Sequence, residues 1–174
     1  GLSAGVDNGR DQAAIFTSSV WIHFYYVLDG STIKSRSSLT TPPTGPALQG
    51  TEGSWAYAGA VRRNADNNLL SVKFRGAYMV YDANQAVLNG GTAASETSVN
   101  VATVVPPNAS EMRVLVLHQT SPGAAAAAWQ TTIRFVAGTD YAVLRNDTDT
   151  AGTASKFNTA VFDIPNIDQQ LFYL

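Results

Sequence analysis

The run Asp147-Thr148-Asp149-Thr150-Ala151-Gly152 opens like a calcium loop, in which oxygens at alternate positions wrap a hard cation. Ala151 stands at the third ligand position and Asn158 at the closing acidic one, so two ligands are missing. A polar turn between Arg145 and Lys156 is the expected structure instead, because Asn, Asp, Thr and Gly are turn formers. The two histidines, His23 and His118, have no HExxH-type spacing or clustered carboxylates around them, so no metal is expected. Asp7, Asp11, Glu52, Asp66, Asp82, Glu96 and Glu111 could supply the carboxylate pair of a glycosidase, but spacing along a chain does not establish proximity. Solvated turn positions are their expected fate.

The sequence has no phosphate-binding Walker motif and no dinucleotide GxGxxG. It also has no cysteine, which removes thiolate nucleophiles, Cys-based zinc sites and disulfides. The expectation is a protein that is not an enzyme and carries no cofactor. Trp55, Tyr57 and Trp129 have the flat amphipathic rings that stack on sugars, with a buried core as the alternative role. His118 precedes the Ala-rich stretch 120–128, and Trp129 follows it. Exposed loops on a rigid scaffold often carry recognition, so His118 and Trp129 are the candidate receptor-binding residues. His23, within an aromatic run, is expected to be a core or interface histidine.

The elements that would position these residues have period two. Trp21 to Leu28 and Ile33 to Leu39 flank Asp29-Gly30-Ser31-Thr32, whose Asp-Gly suits a tight hairpin. In the first strand Trp21, His23, Tyr25 and Val27 alternate with Ile22, Phe24, Tyr26 and Leu28, so both faces are expected to be buried, centrally or against another subunit. Thr40 to Ser54, with Pro42-Pro43, Gly45-Pro46, Gly50 and Gly53, reads as a long ordered loop. Trp55 to Arg63, Leu69 to Arg75 and Ala77 to Asp82 are expected to form a three-stranded meander, with Leu70, Val72 and Phe74 facing a core. Ala83 to Thr97 is a turn-rich bridge that could divide two sheet halves.

Beyond the bridge, Ser98 to Val105 resumes strand character. Met112 to Gln119 and Trp129 to Ala137 are expected to pair. Tyr141 to Arg145 and Lys156 to Ile164 follow, with Leu171 to Leu174 as a last edge segment. The five alanines between Pro122-Gly123 and Trp129 are too few to nucleate a helix and read as an apical loop. About ten short strands without helix imply an all-β fold, an antiparallel β-sandwich of jelly-roll-like kind. With 174 residues and no sharp compositional shift, residues 1–174 are expected to form one domain.

Composition narrows the partners. Charged residues make up 14 %, below the roughly 25 % usual for soluble domains, and the net charge is −2. Nucleic acid and anionic membranes are therefore not expected partners. The sequence has no apolar run of about 18 residues, so no membrane insertion is expected. It starts at Gly1-Leu2-Ser3, without the features of a signal peptide and without Met, as expected for a fragment or processed product.

Several motifs, in order, resemble a β-domain found repeatedly in phage and prophage tail-fibre proteins. Gly5-Val6-Asp7-Asn8-Gly9 precedes the Trp-led strand Trp21-Ile22-His23-Phe24-Tyr25-Tyr26. Ser38-Leu39 with Pro42-Pro43, then Gly59-Ala60-Val61-Arg62, an Asn-rich turn and Leu69, follow in the family's order. Phe74-Arg75-Gly76 with Tyr78 to Tyr81, and Val105-Pro106-Pro107-Asn108-Ala109, match its later segments. The family's Pro-x-Gly-Tyr element is represented only by Pro46-Ala47-Leu48-Gln49-Gly50, without Tyr. The resemblance implies a virion-associated domain, commonly a homotrimer in a tail fibre, touching other virion proteins and a bacterial surface receptor or glycan. It transfers no catalytic residue. A capsid decoration protein is the alternative reading, and a glycan depolymerase a further one.

Overall fold

In the first strand every second residue turns its side chain to the same side, so a run that alternates bulky residues can commit one face to a core. The computed structural model describes residues 9–91, 93–120, 128–139, 142–147, 156–166 and 168–174. Among them the chain is all-β, with several antiparallel sheets and no helix. Its contacts divide into two compact units, Gly1–Gln85 with Pro106–Asn108, and Ala86–Val105 with Ala109–Leu174. The change of unit falls inside the turn-rich bridge expected from the sequence.

The first unit is built on a three-stranded sheet of β1 (Trp21–Asp29), β2 (Thr32–Ser38) and β3 (Glu52–Arg62), with β1 central. The β1–β2 hairpin closes with Asp29 opposite Thr32, leaving Gly30-Ser31 as a two-residue loop. Gly30 takes φ +60°, a conformation a side chain would disfavour. The sheet is irregular at β3. Phe24 pairs with Gly59 and Tyr25 with Tyr57, so Ala58 is an extra residue in a β-bulge. The outer edge of β2 is partly covered, because Asp11 N–H donates to Ser37 O and Ser37 N–H to Gly9 O.

Two expectations are corrected here. β1 buries Trp21, His23, Tyr25 and Val27, but on its other face only Ile22 is buried; Phe24 is half-buried and Tyr26 and Leu28 are exposed. The meander also does not form as a single sheet. β3 completes its ladder with β1, while β4 (Val72–Arg75) and β5 (Tyr78–Tyr81) make a separate two-stranded ribbon. Only an isolated bridge, Arg63 to Leu69, links the two. Period-two patterning shows that a segment is a strand but not which strand it pairs with.

The second unit contains a four-stranded sheet ordered β6 (Thr97–Asn100), β11 (Gln170–Tyr173), β8 (Ala128–Arg134), β9 (Ala142–Asp147). A two-stranded ribbon pairs β7 (Glu111–Thr120) with β10 (Lys156–Pro165) over ten positions. Val99, Val101, Val105, Met112, Ile164 and Leu171 form one buried cluster, which joins strands of the sheet to strands of the ribbon. The pairing differs from the expected one in two ways. β7 pairs with distant β10 rather than β8, and β11 is an interior strand between β6 and β8, not an edge.

Candidate functional site

The two faces of the first sheet differ in kind. On its inner face Tyr25 is fully buried, with its ring edge-on to Trp55 at 5.2 Å between centroids and 5.3 Å from Tyr57. Tyr25 Oη donates to the Thr40 carbonyl at 2.6 Å, tying the proline-rich loop to the sheet. Burial pushes its phenol up to about 12, helped by Tyr57 and Asp11, so it stays protonated. His23 is also buried, with Nδ1 3.2 Å from Tyr57 Oη. Tyr57 donates its single proton to Asn108 Oδ1 at 3.3 Å. His23 Nδ1 must then be the donor toward Tyr57, which fixes the neutral Nδ1–H tautomer. Burial lowers the His23 imidazole to about 4, for want of water around its charged form. This cluster is a set of packed hydrogen-bonded rings in which His23 is buried.

At the hairpin end of the same face the charges pair. Arg36 Nη2 meets Glu52 Oε1 at 2.5 Å with both side chains buried, and Glu52 Oε2 accepts the Gln49 N–H at 2.8 Å. Lys34 lies 2.7 Å from Asp29, which also accepts from Thr51 Oγ1. The Lys34 hydrogen bond, then that of Thr51, holds the Asp29 carboxyl below its usual range. A polar recess of about 280 Å³ opens between these two pairs.

The outer face is apolar. Phe24, Tyr26 and Leu28 of β1 lie beside Ile33 and Ser35 of β2 and Ser54 and Ala56 of β3. A groove of about 430 Å³ runs over Gly59, walled by Phe24 and Tyr26 on one side and by Phe74 of β4 on the other. Gly59 sits at φ +147°, and a Cβ there would come within 2.6 Å of the Phe74 ring. Glycine thus lets the Phe74 ring approach the sheet closely and form the groove wall.

The second unit has a matching feature. Glu111, Arg113, Leu115 and Leu117 of β7 and Thr159, Val161 and Asp163 of β10 face outward, while Met112, Val114, Val116, Phe162 and Ile164 face inward. Leu115 pairs with Val161, and Leu117 with Thr159. Arg113 holds Asp163 in a two-pronged ion pair, at 2.7 and 2.9 Å, at one end of this stripe.

The residues singled out from the sequence fall on different sheets. His118 lies on the inward side of β7, opposite Asn158 in the ribbon; Trp129 lies in β8, opposite Asn146 in the four-stranded sheet. The 121–127 segment between them, the side chain of Trp129, and the proposed calcium run from Thr148 onward lie outside the described residues. Asp11 Oδ2 accepts the Ala47 N–H, Asp82 pairs with Lys73, and Glu96 pairs with Arg134, so these acids are dispersed rather than paired with one another. Among the described residues no three His, Asp or Glu side chains come together to hold a metal ion. The apolar outer face, not singled out from the sequence, could be read only once it was clear which side of β1 the loop covers.

No family model matches the chain, and neither the curated proteins nor the solved structures contain a significant match to it.

Proposed function

We propose that this chain is a non-enzymatic, contact-making module of a bacteriophage virion, a tail-fibre domain that works as a homotrimer and meets the bacterial surface. The observation that carries the reading is the pair of apolar sheet faces left open to solvent, one in each unit. Isolated surface hydrophobics need no explanation, whereas contiguous ones on a rigid sheet mark surfaces meant to be covered by another protein. The ordered motifs that resemble those of tail-fibre domains supply the context, and the β-sandwich of jelly-roll-like kind expected from the strand count belongs to the same reading.

The test is antibody labelling of purified virions with serum raised against this chain. Label along or at the tip of the tail fibres is expected. Label confined to the head would replace the reading with capsid decoration, and unlabelled particles would overturn it.

A further inference from the structure

We propose that the apolar outer face of β1–β2–β3 and the apolar face of the β7–β10 ribbon are the two halves of one subunit interface, the ribbon of one copy seating in the groove of the next. This rests on the homotrimer reading above and names the surfaces that would make it.

The sheet face presents Tyr26 at 57 %, Leu28 at 42 %, Ile33 at 71 % and Phe74 at 49 % exposure. The ribbon presents Leu115 at 43 %, Leu117 at 69 % and Val161 at 58 %. Taking about 200 Å² for a fully exposed large side chain, these seven leave roughly 780 Å² of mostly apolar surface in water. That equals the apolar share of a specific interface of roughly 1,400 Å² in total, before any rim residue is counted. The area is therefore sufficient for a small but specific contact between copies.

Shape and charge point to the same occupant. A closed apolar cavity of about 150 Å³ already accepts a benzene ring. The 430 Å³ groove over Gly59 thus has room for two aliphatic side chains. Leu115 and Leu117 are two residues apart on one strand face, so their Cα atoms stand about 6.6 Å apart and both can enter a groove that runs along a strand. Beside the ribbon face Arg113 is already paired with Asp163, and the Lys34–Asp29 pair lies on the opposite face of the sheet. Seating one patch on the other therefore breaks neither pair. A hydroxyl-rich glycan or an anionic surface would find few groups to bind on either patch.

Having two different patches also bears on symmetry. A two-fold dimer can seat the ribbon of each copy in the groove of the other, whereas a head-to-tail contact uses both patches on every copy and closes as a ring where its rotation allows, so the measured mass distinguishes the two.

The experiment is light scattering with size-exclusion chromatography on the purified chain, on Tyr26→Asp, on Leu117→Asp, and on an equal mixture of the two variants. The wild type is expected at three times the chain mass, and each variant alone at the single-chain mass with an unchanged far-ultraviolet spectrum. The mixture, which restores one intact sheet face and one intact ribbon, is expected at twice the chain mass. If either aspartate variant loses its β spectrum, Tyr26→Ser and Leu117→Thr replace it, with the same expected masses. A wild-type trimer that survives either substitution, or a mixture that stays single-chain, overturns this pairing while leaving the trimer reading intact. A single-chain wild type overturns both.

Discussion

Replacing Glu52 with Gln is expected to destabilise the first unit by about 3 to 5 kcal/mol, the range for removing one partner of a buried ion pair. Arg36 and Glu52 are 4 % and 1 % exposed at their side chains, so water cannot take the place of the missing charge. The substituted amide also has one oxygen where the carboxylate had two. One native oxygen accepts from Arg36 and the other from the Gln49 N–H, so the new NH₂ must face one of these donors with a donor of its own. Arg36→Met is expected to fall in the same range, because it leaves the buried Glu52 carboxylate without its cation.

The double variant Arg36→Met, Glu52→Leu removes both charges and should be less destabilised than Glu52→Gln alone, losing mainly the Gln49 bond. At roughly 2–4 °C per kcal/mol for a chain of this size, Glu52→Gln lowers the melting temperature by roughly 10 °C. Thermal and urea unfolding at pH 7, followed by circular dichroism, measures all three. The reasoning is refuted if Glu52→Gln lies within about 1 kcal/mol of wild type, or if the double variant is as unstable as Glu52→Gln.

Three further outcomes follow from other parts of the chain. His23 is held neutral by burial, with its pKa lowered from 6.5 to about 4, so its contribution is fully present above pH 6.5 and is lost as pH falls through about 4. Wild type should lose about 2 to 3 kcal/mol more than His23→Gln between pH 7.5 and 4, above the range where Asp29, Asp82 and Asp163 protonate; equal losses would refute this. Ile164, fully buried in the second unit's core, should cost about 3 to 4 kcal/mol when cut to Ala, read by denaturant unfolding, and a loss under about 1 kcal/mol would contradict the packing described. Trp129→Ala is expected to weaken binding of the chain to host cells about tenfold in a pull-down titration if the 121–127 end carries recognition, and unchanged binding would remove that site from consideration.

The sequence alone determined where the strands are and what class they make. Alternation is a local property, so Trp21 to Leu28, Met112 to Gln119 and Lys156 to Ile164 were legible as strands, and Asp29-Gly30 as the turn between β1 and β2. Partner choice across long separations was not legible. A strand such as Met112 to Gln119 has the same alternating pattern whether it pairs with the next strand or with one some forty residues away, and only the packing of Met112 and Ile164 into a common core selects β10. The same holds for the candidate surfaces. Arg36 and Glu52 are unremarkable in a list of charges until register places them on one buried face. The even-numbered residues of β1 look like core until the proline-rich loop covers the opposite side and leaves Tyr26 and Leu28 in water. Period two fixes that a strand has two faces; which face is covered depends on residues distant in the chain, and only the tertiary structure decides it.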